Sequence, residues 1–424
     1  MSRESEAGAE AEGGAGADAP AGGEAAPAAL LPGALPEALR AELVAFRRDL
    51  HMHPELGNQE FRTTAALKAR LEEAGLEPRI LAIGTGLICD IGTDGWDGTR
   101  PLLALRADID ALPIPDTKDV DYRSTVPHRA HACGHDVHTT VVLGAGLVLA
   151  ELAQRGELPY PVRLIFQPAE EVLPGGAPDA IESGVLDGVG RIIGVHCDPR
   201  VDAGRIGLRH GPITSACDRL EVSLDGAGGH TARPHLTTDL VTAAAKVVTE
   251  VPPLVARRVD ARSGLAVTWG RLEAGHACNV IPQHAELSGT VRCLDLETWR
   301  QAPDLVHGAI QEIADLYRAK PVINYIRGVP PVVNDPEITD LLRGAMTARR
   351  GVQSIEDTEQ SLGGEDFSWY LERVPGAMAR LGVRTPGERT VRDLHQGDFD
   401  ADESAITVGV ELFTAAALLD TRVV

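Results

Sequence analysis

Apolar positions along the chain follow two spacings in turn. From Ala34, ALPEALRAELVAFRRDLHMHPE sets its apolar residues at helical intervals and stops where Pro54 bars a further turn. TTAALKARLEEAGL predicts a second helix closed at Gly75, since glycine readily takes the left-handed conformation that ends helices. Short β-rich apolar runs then alternate with helix-like stretches: LLAL (102–105), VRLIF (162–166) and RIIGV (191–195), with VVLGAGLVLAELAQRG between the first two. Strands apolar on both faces and separated by helices predict an α/β sheet of mainly parallel strands.

After about residue 213 the pattern changes. RLEVSLDG, a helix over 238–255, GLAVTWGRLE, AELSGTVRCL, a helix over 298–319 and PVINYIR spell β-α-β-β-α-β. That order suits a self-contained ferredoxin-like (α+β) sandwich. The expected architecture is a catalytic α/β domain over 37–213 and 328–424, interrupted by a smaller domain over 214–327.

Composition narrows the class. The 424 residues exceed what one compact core encloses, in line with two domains. Residues 1–36 are almost all Ala, Gly, Glu and Pro, too poor in apolar surface to offset ordering entropy, which predicts a disordered tail. A formal charge of −22 disfavours nucleic-acid and anionic-membrane partners. No apolar run of spanning length and no secretory layout stand out, which places the protein in the cytoplasm. The six cysteines lack CxxC spacing and read as reduced thiols, with Cys89 and Cys293 packed in strands and Cys197 in the core.

Three of the buried strands run into polar clusters. LLAL leads to RADID (Arg106, Asp108, Asp110), VRLIF to QPAEE (Glu170, Glu171), and RIIGV to HCD (His196). Ligands bind beyond the carboxyl ends of strands in open α/β sheets, so these clusters converge on one crevice. In HACGHDVH (131–138), Cys133 and His135 stand just before a helix expected near Val137, where alternate positions of an extended loop direct both side chains at one cation. Thiolate, imidazole and carboxylate suit zinc or another first-row divalent ion. Glu170 and Glu171 diverge if their segment is extended, which allows one to bind metal and the other to act as general base. His395, in VRDLHQGDF, closes the site from far along the chain. HMHPE (51–55) looks similar but sits at a helix C-terminus, where imidazoles are favoured by the dipole alone, and is read as structural. His128, His138, His210, His276, His284 and His307 have no companion cluster.

FRRDLHMHPE, LRADIDALP, HACGHDVHTT, IFQPAEE, GVHCDP, GGHTARPH, CNVIP, GGEDFSWY and DLHQGDF occur in series. With these the chain resembles the M20 metallopeptidase family, in its amidohydrolase branch of N-acyl-amino-acid, hippurate and auxin-conjugate hydrolases, from about residue 40 to the end. The resemblance implies two divalent metal ions per subunit, zinc or manganese with cobalt or nickel as alternatives. Their ligands fall on Cys133, His135, Glu171, His196 and His395, with Cys133 bridging. Glu170 matches the general base, and Asp108 the residue that orients the metal site. Arg106 stands where other branches carry a metal-binding histidine, a role that passes to His135 in this chain. The inserted domain resembles a lid and dimerisation domain, from which His230 reaches the partner subunit's site to stabilise an oxyanion. Asn279, Arg292 and Glu365 match or suggest substrate-binding positions, although Gly364 replaces the serine that often precedes the glutamate.

The expected activity is hydrolysis of a small N-acyl amino acid or related amide by a homodimer joined through the lid. The alternatives are a dipeptidase or carboxypeptidase of the same family and a metal-dependent binding protein without turnover. An intact Glu170 speaks against the latter, and the Cys-Gly-His motif favours the amidohydrolase branch over the peptidases.

Overall fold

A computed structural model describes residues 33–94, 96 and 98–420. The expected tail therefore lies almost wholly outside the described residues. Eight strands form the larger sheet, in the order Arg79–Ile80, Leu87–Ile91, Val162–Gln167, Leu102–Asp108, Val189–Asp202, Gly376–Arg384, Ile206–Leu208, Ile355–Asp357. Its centre is parallel, and antiparallel pairs join Leu87–Ile91 and Ile206–Leu208 to it.

Both faces of this sheet are covered, and the strand at 102–108 shows why its sequence is apolar without alternation. Leu103 and Leu105 pack with Leu43, Val141, Leu342 and Val408 from four helices, whereas Leu102 and Ala104 join Ile165, Ile192, Met378 and Phe367 on the other side. The helix His135–Gln154 is central to the first layer. A Cβ at its Gly144 would stand 2.7 Å from both Leu43 Cδ1 and Val410 Cγ2, so glycine permits the close crossing of three helices. This helix corrects the expectation that no segment has spanning length: its 20 residues are apolar enough to cross a membrane. Burial accounts for that composition, since 83% of its most apolar window lies inside the protein.

The second sheet has the antiparallel order Ala266–Ala274, His284–Cys293, Ala216–Asp225, Lys320–Val329. Helices Leu240–Ala256 and Leu296–Leu316 lie on one of its faces. Along Ala216–Asp225 every second residue is buried, the alternation of a sheet with one covered face. The chain thus has a larger α/β domain and an inserted domain of β-α-β-β-α-β order, as the periodicity predicts.

One expectation about strand length fails. The strand expected at 191–195 runs on as Val189–Asp202, because Gly376–Arg384 continues to pair with it after Leu102–Asp108 has stopped. His196 consequently sits on an overhanging strand, not in a loop beyond its end.

Candidate metal centre

The helix carrying His135 begins two residues earlier than the sequence suggests. Gly134 caps it with φ 86°, and a Cβ there would lie 2.7 Å from Cys197 Sγ. Only glycine serves at this position, and it makes His135 the first helical residue with Cys133 just before the turn. Donor atoms of Cys133, His135 and His196 lie within 4.8 Å of one another, with Cys133 Sγ 3.6 Å from His196 Nε2.

Backbone and carboxylate contacts set the imidazole tautomers. His135 Nδ1 lies 3.0 Å from the Asp110 carbonyl and 3.1 Å from Asp110 Oδ1, and His196 Nδ1 lies 2.8 Å from the Cys197 carbonyl. Both Nδ1 atoms therefore carry the proton, and both Nε2 lone pairs are left to bind a cation.

The second half of the centre comes from QPAEE. Ala169 has φ 58°, a conformation rare for residues with a side chain, and Glu60 Oε1 accepts its N–H at 2.8 Å. The dipeptide that follows diverges through this turn, not through an extended segment. Glu171 Oε1 lies 3.2 Å from His395 Nε2, and its N–H donates to Asp110 Oδ2 at 3.0 Å. Cys133, Glu171 and His395 form a second group within 4.8 Å, so the thiol is common to both groups. His395, with φ 62°, is held by its N–H donating to the Ala132 carbonyl. Glu170 reaches towards Glu365 and Asp366, while its Oε2 stays 3.9 Å from His135 Nε2.

Burial and neighbours move the protonation of these groups apart. Burial pushes the Glu170 carboxyl well above the usual range, and Glu365, Glu171 and Asp366 add to the push. Glu171, against the upward effect of burial, is held below its ordinary value by His395 and His135. His135 is raised to about 10, against burial, by Asp108 and Asp110. Burial with Glu171 and Glu170 alongside pushes the Cys133 thiol up. Burial, with His138 and Arg380 alongside, pushes His196 well down.

These residues fit a pair of divalent cations. His135 Nε2 is buried with no hydrogen-bond partner, and Glu171 Oε1 is buried with only the His395 imidazole beside it, an arrangement that costs free energy unless a cation completes it. A cation would displace the protons that His135 and Cys133 otherwise carry. The mixture of sulfur, nitrogen and oxygen donors suits a first-row divalent ion.

Of the other residues singled out in the sequence, Asp108 and Glu365 border the centre, and His230 and Asn279 stand away from it. Asp108 is buried, 2.6 Å from His138 Nδ1 and 2.7 Å from Arg106 Nη1, and 3.8 Å from His135 Nδ1; the direct orienting contact to His135 is made by Asp110. Arg106 also bonds Gln167 and Asp366 and lies 3.2 Å from Glu365 Oε1, so a guanidinium fills the region behind Glu170. Glu365 is buried there, beside the candidate base. His230 and Asn279 stand together on the lid, with Thr231 N–H donating to the Asn279 carbonyl, and both are exposed. Neither joins the centre within one chain. The Arg292 guanidinium donates to the Leu362 carbonyl.

Sequence reasoning passed over two contributors. His138 accepts the Cys197 N–H at Nε2 and so donates from Nδ1 to Asp108; its offset of three residues from His135 on one helix face was the available signal. Arg47 is fully buried against Asp136, 2.7 Å away, and Asp136 also meets His51 at 2.7 Å. His51 is thus a structural residue, through a carboxylate pair more than through a helix dipole.

Comparison with known proteins agrees with this geometry. A Rhodococcus jostii (strain RHA1) protein named "Putative glutamate--cysteine ligase 2-3" is 48% identical over 90% of this chain, but the match covers 47% of that protein, so the chain spans about half its length. The N-acetyl-L-cysteine deacetylase of Bacillus subtilis (strain 168) is 39% identical over 87% of this chain and 85% of its own. The crystal structure of Bacillus subtilis YXEP protein, described as a dinuclear metal binding peptidase from the M20 family, superposes with a TM-score of 0.78 at 35% identity, covering 90% of this chain and 98% of that one. The model for peptidase family M20/M25/M40 matches residues 104–419, and the chain belongs to that family.

Proposed function

We propose that this protein is a metal-dependent amidohydrolase that cleaves the amide bond of small N-acyl amino acids, with Glu170 as general base. One observation carries the reading: the two adjacent glutamates are set apart in space, Glu171 with Cys133 and His395 and Glu170 reaching into the buried pocket of Glu365 and Asp366, and their pKa values are shifted in opposite directions. Glu171 is kept as an anion among His135, His395 and Cys133, as a ligand must be. The raised pKa of Glu170 makes its carboxylate, when ionised, the stronger proton acceptor of the two.

Bound by Cys133, His135, Glu171, His196 and His395, two divalent cations, zinc or manganese, would polarise the amide carbonyl and lower the pKa of a water. Glu170 takes the proton of that water as it attacks and returns the proton to the departing nitrogen. Asp110 fixes His135 through Nδ1, and Asp108 fixes His138 beside it. His230 Nδ1 accepts the Ala232 N–H at 3.0 Å, which leaves its Nε2 as the donor for an oxyanion in the partner subunit's site. Asn279, adjacent on the lid, contacts substrate there, and Arg292 stays near the crevice through the 362 loop.

The test is a panel of N-acetyl, N-benzoyl, long-chain N-acyl and indole-acetyl amino acids, with dipeptides, offered to chelated protein and to protein restored with manganese or zinc. Metal-restored cleavage of N-acyl amino acids in preference to dipeptides is expected. A preference for dipeptides would favour a peptidase, and bound metal without any turnover would favour a binding protein.

A further inference from the structure

Two arginines are buried on the same face of the large sheet, and they are treated differently. Arg106 pairs in register with Gly194 and that glycine with Met378; two residues further along, His196 pairs with Arg380. Arg106 is fully bonded, to Asp108, Gln167 and Asp366. Arg380 is only 5% exposed and makes no ion pair among the described residues. Its Nε and Nη2 are buried without a hydrogen-bond partner. The carboxylates whose charge it feels are already engaged: Asp198 accepts from Arg200 N, Nε and Nη2, and Glu365 lies against Arg106. Its register partner on the neighbouring strand is His196, whose Nε2 lies 3.6 Å from Cys133 Sγ, so it stands on the strand next to the candidate metal centre.

A buried guanidinium without a counter-ion is unfavourable unless something completes it. The two orphaned donors decide what that is. Nε–H and Nη2–H point in parallel along one edge of the guanidinium, the fork that grips both oxygens of a carboxylate. We propose that Arg380 is a substrate-binding residue that seats a carboxylate of the ligand at the edge of the metal centre. This rests on the amide-hydrolase reading of the site. The carboxylate comes either from the amino-acid half of an N-acyl amino acid or from a dicarboxylic acyl half, and binding measurements separate the two.

The experiment uses manganese-loaded Glu170→Gln protein, which holds a ligand without cleaving it, and titrates N-acetyl-L-leucine, N-acetyl-L-leucinamide and N-succinyl-L-leucinamide by calorimetry. One of the two acids is expected to bind roughly 30-fold tighter than N-acetyl-L-leucinamide. N-acetyl-L-leucine as the tighter ligand assigns the amino-acid carboxylate, and N-succinyl-L-leucinamide the acyl carboxylate. Adding Arg380→Met should abolish the preference while leaving the affinity for the neutral amide within about threefold and the unliganded melting temperature no lower. Arg380→Lys, which keeps the charge without the fork, should recover only part of the preference and serves if the methionine variant does not fold. Equal affinity for acids and amide with Arg380 intact would overturn the proposal, as would an equal loss for all three ligands in both variants. Wild-type protein that shows this Arg380-dependent binding but cleaves no amide would keep the carboxylate seat and refute the hydrolase reading. Cleavage indifferent to the carboxylate would do the reverse.

Discussion

Each imidazole of the inner group has one nitrogen bonded to the protein and one left for a cation, and each such choice is made by a neighbour that carries no metal itself. Glu60 plays a comparable supporting part for the glutamates. Its Oε1 accepts the N–H groups of Asn58 and Ala169, its Oε2 is buried without a partner, and burial raises its carboxyl to about 7. A carboxyl raised in the folded state favours folding while protonated: the contribution is fully present below the unfolded value near 4.5 and is lost as pH rises through about 7. Chelated wild-type protein should therefore lose on the order of 3 kcal/mol relative to Glu60→Gln between pH 4.5 and 7, at about 1.4 kcal/mol per unit, and no more above it. Denaturant melts of both proteins across that range check this, and parallel curves would show that Glu60 is ionised in both states.

At the same scale, the candidate donors that the structure brings together were legible because their chemistry is dense in the sequence: a cysteine between histidines serves no capping purpose, and an acidic pair after an apolar strand is out of place on a surface. Arg380 was not legible. An arginine within an apolar strand reads as an edge residue, and its burial depends on strands from distant parts of the chain. The same holds for Arg47, whose partner Asp136 is 89 positions away.

Among elements, the turn into the helix His135–Gln154 controls the centre's geometry. Gly134→Ala would force a side chain against Cys197 Sγ at φ 86°, an overpacked contact in a left-handed conformation. The expected cost is roughly 2–4 kcal/mol, with weaker metal retention because Cys133 and His135 flank the turn. Thermal melting and metal analysis after dialysis test this, and wild-type values for both would contradict it. Strand and helix types followed from periodicity across most of the chain, since buried parallel strands are continuously apolar and the lid strands alternate. Boundaries were less legible where pairing extends an element: nothing local in PRVD says strand, and these residues are held by Gly376–Arg384.

For the molecule as a whole, the larger domain collects the ligands at one crevice, and the lid holds His230 and Asn279 apart from it in a single chain. If His230 completes a partner's site, mixing inactive Glu170→Gln with inactive His230→Ala protein should restore up to about a quarter of wild-type activity, as random pairing yields one intact site in half of the dimers. Failure after verified subunit exchange would place the whole site in one chain. The domain order was readable from sequence because the change from apolar runs to alternation is a global signal, whereas side-chain directions on the lid loops depend on contacts no periodicity encodes.

The most direct test of the central claim is turnover together with metal content in Glu170→Gln. Glu170 as base, distinct from its ligand neighbour Glu171, requires full metal occupancy with turnover lowered by about a thousandfold, within the range that a general base contributes. Near-normal turnover at full occupancy would contradict the account, and loss of metal would show Glu170 to be a ligand.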